Sequence, residues 1–305
     1  MQLRRLDPLA NSGPYQRLLK TAVKSFTLTE TQFDRIKERR PELIIPGDEG
    51  AVVGHLIRDY LDIHYGYAEV VGFRDHFSEQ FEACVSAVSR EEAPRGVRLA
   101  FRDRPNRSMA EMVFWKSALE EGAEWVEMNW ASVPEQPEPG IAAGDSFIVR
   151  EATERDRDVI AEIDAESTGQ PRLTAAGLDS LYENSRWLWV ILDKGGAPAG
   201  FLSLRTEPGG WGIIDQTAMR PAVADQLREP LLRWAVAWLR NNGGRRIRKQ
   251  VYMADTADLN LLRDSGFVPG ETGLEYNRPV DPAELKAILE ERKSHGWFIS
   301  VGDWR

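Results

Sequence analysis

The chain has 305 residues, 42% hydrophobic and 29% charged, which excludes intrinsic disorder and leaves length for two lobes with separate cores. Its formal net charge of −9 argues against a nucleic-acid partner, which a basic excess would announce. No apolar run approaches the ~18 residues of a membrane span, and Met1-Gln2-Leu3-Arg4-Arg5 lacks the apolar core of a signal peptide, so a cytoplasmic protein with no membrane partner is expected.

In chain order, Tyr15 to Ser25 and Glu30 to Arg39 read as helices, and Pro46-Gly47-Asp48-Glu49-Gly50 turns the chain. His55 to Val71 mixes aromatic and β-branched residues and contains strand. Phe73 to Ser89 is a helix burying Phe73, Phe77, Phe81, Cys84, Val85 and Val88. Cys84, the single cysteine, can form no internal disulfide and reads as core. Val97 to Phe101 is a strand, Met109 to Glu121 a helix and Trp125 to Trp130 a strand. The stretch 134–145 is rich in proline, glycine and charge, a linker composition.

After it, Phe147 to Arg150 begins a new lobe with a strand, and Val159, Ile160 and Ile163 mark a helix over Arg155 to Glu166. Trp187 to Leu192 and Ala199 to Arg205 form a hairpin about Asp193-Lys194-Gly195-Gly196, and Trp211 to Met219 is the next strand. Pro221 stops that strand. A helix is expected from about Gln226, with Pro230 in its first turn and its end at Asn241-Asn242-Gly243-Gly244. Ile247 to Met253 is a strand, Ala257 to Asp264 a helix closed by Ser265-Gly266-Phe267, and Leu274 to Asn277 a strand. In the tail, Asp281 caps a helix from Pro282 to Arg292, and Trp297 to Val301 reads as a strand. This apolar ending needs a docking place, on the other lobe or on a neighbouring subunit, so a homodimer is one of two expected arrangements.

The run strand, helix, strand over Gly96 to Glu127 echoes that over Gly244 to Glu271, with Asp103 matching Asp255. With this order and the Gly266-Phe267 ending, the second half resembles the GNAT superfamily of N-acetyltransferases from Phe147 to Val280. The whole chain looks like a tandem-GNAT protein, the first lobe resembling the family over its closing third. The fold so implied is mixed α/β, two GNAT-like lobes, each a central mostly antiparallel sheet flanked by helices. Its parts are 1–133, a degenerate first lobe; 134–145, linker; 146–280, the second lobe; and 281–305, tail.

In that family the segment after the fourth strand reads approximately Val-x-Pro-x-x-Arg-Gly-x-Gly-x-Gly/Ala, and glycine-permitted backbone N–H groups wrap the CoA diphosphate. Met219-Arg220-Pro221 fits the opening, whereas Ala222 to Pro230 holds no glycine and brings Asp225 and Glu229 near the phosphate. The resemblance implies acetyl-CoA as co-substrate, no metal, and a primary amine of a small molecule or peptide as acceptor. It implies Asp215 as general base, though a pairing of Asp215 with a neighbouring cation stays open. Thr217, Ala218 and Met219 would pair by backbone with the pantetheine arm. Gln226, Leu227 and Arg228 stand in the phosphate loop, and Arg228 either reaches the diphosphate or is solvated. Asp255 stands for a family asparagine that contacts the arm, or is a helix N-cap. The tyrosine that protonates the leaving thiolate in many members falls on Leu262. An alternative is therefore a binding or scaffold protein that keeps the fold without catalysis.

Other features allow blander readings. His55, His64 and His76 are spaced nine and twelve apart, which does not set ligands on one helical turn. Tyr60, His64, Tyr65 and Tyr67 line a pocket or pack a core. Trp125, Trp130, Trp187, Trp189 and Trp234 suit core or contact between lobes. The run Arg245-Arg246-Ile247-Arg248-Lys249 attracts an anion such as the CoA 3′-phosphate or is a solvated strand approach.

Overall fold

The computed structural model describes residues 13–21, 23–25, 28–88, 94–101, 107–131 and 147–294. Its elements begin with α1 (Gly13–Leu19), β1 (Val23–Lys24), α2 (Glu30–Arg39), β2 (Ile44–Pro46), β3 (Gly50–Ile57), β4 (Tyr60–Tyr67), α3 (Val70–Ser86), β5 (Gly96–Phe101), α4 (Arg107–Lys116) and β6 (Glu120–Ala131). There follow β7 (Phe147–Glu151), α5 (Arg157–Thr168), α6 (Ala175–Asn184), β8 (Trp187–Asp193), β9 (Pro198–Glu207), β10 (Trp211–Met219), α7 (Pro221–Asn241), β11 (Arg246–Tyr252), α8 (Thr256–Asp264), β12 (Val268–Pro279) and α9 (Pro282–Ser294). The linker 134–145, Asp103 and the strand expected over Trp297 to Val301 lie outside the described residues.

Local chemistry explains most boundaries. Thr29 caps α2 in a reciprocal box, its Oγ1 accepting from the Gln32 N–H at 3.2 Å while Gln32 Oε1 accepts from the Thr29 N–H at 2.9 Å. Helix α8 ends on Gly266 with φ of 86°, the left-handed turn that glycine adopts without strain. Elsewhere the structure departs from expectation. Residues after Leu19 leave the helix and form β1, and Ala118, at φ of 55°, turns the chain so that Glu120 and Glu121 begin β6 instead of ending α4. Helix α6 was not foreseen, because Leu178 and Leu181 alone give it a large apolar stripe; Thr174 caps it through the Gly177 N–H at 3.0 Å. Helix α7 starts with Pro221 in its first turn, so Pro230 lies inside the helix. With no N–H at residue 230, the Gln226 carbonyl lacks its helical donor.

The chain divides into two compact units, Met1–Gly122 with Leu274–Arg305, and Ala123–Gly273. The first has strand order β2-β3-β4-β5-β12, with β1 pairing β4; the second has β6-β11-β10-β9-β8-β7. Both sheets are antiparallel except for one parallel pair each, β4 with β5 and β10 with β11. The units therefore divide differently from the contiguous split at 133 and 146. Strand β6, from the first half of the chain, closes the second unit beside β11, and residues Leu274 to Pro279, from the second half, close the first beside β5. Without these partners β5 and β11 would leave a row of unpaired backbone groups.

The echo of Gly96 to Glu127 with Gly244 to Glu271 is seen as β5, α4, β6 and β11, α8, β12, and it extends backwards, since β3, β4, α3 and β9, β10, α7 share element order and pairing sense. The first unit's core is aromatic, with Tyr65, Tyr67, Phe73, Phe77 and Phe114 fully buried in mutual ring contact. The second unit has a core on each face of its sheet, one under α7 and α8 and the other under α5 and α6. Trp187 and Trp189 of β8 pack edge-on against Trp238 of α7 at 4.5 and 5.6 Å, fixing that helix across the sheet. Gly212 of β10 lets α7 come close, since a Cβ there would meet the Leu239 side chain at 3.1 Å. Helix α9 belongs to the first unit, where Arg292 donates to the carbonyls of Trp115 and Leu119.

Candidate active site

In the second unit β10 and β11 run in register from Trp211 with Arg246 to Ile214 with Lys249 and then part. Beyond that point Gln216 to Met219 pair only with β9, and Gln250 to Tyr252 pair only with β6. A β-bulge at Asp215, between Ile214 and Gln216, accompanies the parting, since an inserted residue bends and twists its strand. Among the described residues, the backbone of β10 past the bulge thus has no strand beside it on the β11 side.

A cleft of about 160 Å³ occupies this opening. Ile214, Thr217 and Met219 of β10, Lys249 of β11, Ala224 and Arg228 of α7, and Leu261 and Leu262 of α8 line it, with Asp255 and Asp258 at its polar end. Asp255 caps α8, its Oδ1 accepting from the Asp258 N–H at 3.0 Å, as one of its two expected roles required. The cleft's charges are matched internally: Arg228 lies 3.3 Å from Asp258 and 3.9 Å from Asp255, and Lys249 donates to Asp258.

Asp215 does not line the cleft. It sits among Arg205, Glu207 and Arg248, with Arg205 Nε 3.3 Å from its Oδ2. Along β11 Lys249 faces the cleft, so its neighbour Arg248 faces the other side of the sheet, where it donates to Glu207 at 2.6 Å. The Asp215 side chain is 29% exposed. Burial raises its pKa; the Arg205 guanidinium opposes this, Glu207 adds to it and Arg248 opposes it. A carboxyl held above the ordinary value is a stronger base when ionised.

Of the residues expected to hold the cofactor, Thr217, Met219, Arg228 and Asp255 come together in the cleft. Ala218 points to the opposite core, and its backbone alone belongs to the open edge. Gln226 and Leu227 are not brought to the cleft. The segment meant to be a loop is already helix, in which Leu227 packs in the core and Gln226 faces solvent. Leu262 does line the cleft and is 1% exposed. Lys249, Asp258, Arg205 and Glu207 were not singled out from the sequence as site residues. The basic run held the signal for Lys249, because strand alternation sends Lys249 and Arg248 to opposite faces once the register is known. His55 and His64 lie 6.3 Å apart ring to ring, and no group of three His, Cys, Asp or Glu suited to a metal exists among the described residues.

The first unit has the same parting but fills it. Strands β4 and β5 run in register from Tyr60 with Gly96 to Ile63 with Leu99. Past that point β1 takes the β4 edge, Val23 pairing Tyr67 and Lys24 pairing Gly66, and the Ser25 N–H donates to the Tyr65 carbonyl at 3.0 Å.

Two mostly antiparallel sheets, each opening between its parallel strands, define a tandem GNAT fold. Among solved structures the chain is similar to the tandem GNAT protein from the clavulanic acid biosynthesis pathway (without AcCoA), at 11% identity, 91% coverage of this chain, 97% of that chain and a TM-score of 0.61. It is also similar to the GCN5-related N-acetyltransferase from Sphaerobacter thermophilus, at 16% identity, 77% and 78% coverage and a TM-score of 0.56. At these identities the likeness is one of fold. No family model matches the chain, and no curated protein matches it in sequence. No helix among the described residues is long and apolar enough to cross a membrane.

Proposed function

We propose that the second unit is an acyl-CoA-dependent N-acyltransferase that moves an acetyl group from acetyl-CoA to a primary amine of a small molecule or peptide. The observation that carries this reading is the unpaired edge of β10 past Asp215, opening on a cleft between β10 and β11. The amides of a pantetheine arm suit such an edge, because they replace the hydrogen bonds of a missing strand. The residues present thus fit the arm. They do not reproduce the glycine cradle for the diphosphate, since α7 begins at Pro221 with no glycine before Gly243.

Acetyl-CoA supplies an activated acyl carbon; the chain supplies position and a base. Asp215, with its raised pKa, takes the proton from the substrate ammonium so that the amine lone pair is free to attack. Glu207, beside it, is a second carboxylate for a cationic acceptor. Two observations favour a second reading, a fold retained for binding alone: the missing glycines and the apolar Leu262 where a tyrosine acid would stand.

Titration calorimetry with acetyl-CoA and desulfo-CoA separates the readings. Binding of both is expected, and absence of heat or thermal shift at millimolar ligand refutes the transferase. Asp215→Asn is expected to lower turnover by about 10²–10⁴ with little change in desulfo-CoA affinity. Unchanged turnover removes Asp215 from the reaction.

A further inference from the structure

We propose that Lys249 is the group that meets the departing sulfur, its ammonium pairing with the thiolate as the thioester carbon–sulfur bond breaks. This rests on the acyl-transfer reading above. Lys249 is the last β11 residue in register with β10, so it stands at the apex of the opening through which a thioester arm must pass. Its side chain is 14% exposed and lines the same cleft as Thr217 and Leu262. Leu262, at the position that the family resemblance assigns to a tyrosine acid, has no proton to give. Among the cleft residues the cations are Lys249 and Arg228; Asp258 pairs with both, and Asp255 lies 3.9 Å from Arg228. Asp258 therefore orients Lys249 at the apex of the opening, in a cleft whose formal charge is balanced.

The step balances without a new reactant. Asp215 takes the ammonium proton and passes it to solvent; the amine lone pair then forms the nitrogen–carbon bond, Asp215 takes the second nitrogen proton, and the carbon–sulfur electron pair goes to sulfur. The thiolate pairs with Lys249 and takes its proton from water after release. The contact proposed is charge pairing and not proton transfer.

The test follows the ultraviolet absorbance of the CoA thiolate across pH, with CoA bound to the full chain. In the wild-type protein and in Lys249→Arg the bound thiol should ionise at lower pH than free CoA. In Lys249→Met and Lys249→Gln it should ionise at or above the pH of free CoA, with turnover lower by about 10²–10³, while desulfo-CoA affinity falls only by the about fivefold that the loss of one cleft cation brings at low salt. A wild-type bound thiol that titrates like free CoA overturns the proposal, even if no variant folds. So does an identical titration in wild type and Lys249→Met. Failure of the wild-type protein to bind CoA is a different result, which removes the acyl-transfer reading and this proposal with it.

Discussion

Replacing Asp255 by asparagine should tighten acyl-CoA binding, against the usual effect of altering a candidate binding residue. The cleft holds Arg228 and Lys249 against Asp255 and Asp258, so its formal charge sums to zero and offers a diphosphate nothing. Asp255→Asn makes that sum +1, and Arg228→Met makes it −1. The Asp255 side chain is 48% exposed, which calls for a high effective dielectric. A unit charge about 8 Å from an anion at a dielectric of about 40 is worth about 1 kcal/mol, near fivefold in Kd. The fold should survive the change, because asparagine caps a helix as well as aspartate and can still accept from the Asp258 N–H. Calorimetry at low salt should thus give about fivefold tighter binding for Asp255→Asn and about fivefold weaker for Arg228→Met. At 1 M salt, where the Debye length is about 3 Å, both differences should shrink. An Asp255→Asn variant that binds no tighter at low salt, or whose gain persists at 1 M, refutes this electrostatic account.

Acyl-CoA should bind once per chain, because β1 occupies the β4 edge in the first unit; a calorimetric stoichiometry of two would contradict this. Asp156 accepts from Arg150 at 2.8 and 2.5 Å and from the Thr153 N–H at 2.7 Å, and this ties β7 to the start of α5. Asp156→Ala should cost about 2 kcal/mol in urea denaturation, below the usual 3–5 for a buried pair because Arg150 is 41% exposed. The Arg150 guanidinium and the Thr153 donors hold the Asp156 pKa below the ordinary value. Its stabilisation is therefore full above pH ~4 and lost as pH falls through the folded-state value, which a series of denaturation curves in acid would trace. Burial pushes the Cys84 thiol up to about 12, and the residue is 0% exposed, so alkylation near pH 8 should proceed only on unfolding. Rapid labelling of the native protein would contradict that burial.

Much of the secondary structure was legible because short-range chemistry sets it. The capping pair Thr29 and Gln32 starts α2 where expected, and Trp211 to Met219 is bounded by Gly209-Gly210 and Pro221. What escaped depends on partners distant in sequence. No residue near Ala123 or Leu274 signals that their strands close sheets built from the other half of the chain, since β5 and β11 each accept an antiparallel neighbour on backbone terms alone. The bulge at Asp215 is likewise silent, involving no glycine or proline. Pro230 misled through a sound rule: proline fits a first turn best, yet α7 packs under Trp187, Trp189 and the β10 strand strongly enough to carry it inside. The functional candidates followed the same division. Thr217, Met219 and Asp255 fall where strand and cap rules put them, whereas Gln226 and Leu227 stand in helix α7 and not in a loop.

The two units pose one physical problem and answer it differently. Where parallel strands part inside a protein, each leaves backbone N–H and C=O groups that cost roughly 1–3 kcal/mol apiece if buried unmet. The first unit meets this cost with its own chain: Val23 to Ser25 bond to Tyr65, Gly66 and Tyr67, and the rings of Phe73, Phe77 and Phe114 fill the space beneath. Among the described residues of the second unit, no segment takes this place. Its β7 pairs with β8 at the far side of the sheet, and Thr217 to Met219 face a cleft with room for several waters. In the proposed transferase, water would hydrate this edge in the free protein, and an amide-bearing arm would displace it while reproducing its hydrogen bonds. In the first unit β1 covers the edge and the aromatic rings pack beneath it. In the second unit Ser167, Thr217 and Ala224 line the same opening together with Leu202, Leu231, Leu232 and Leu262, and none of them fills it.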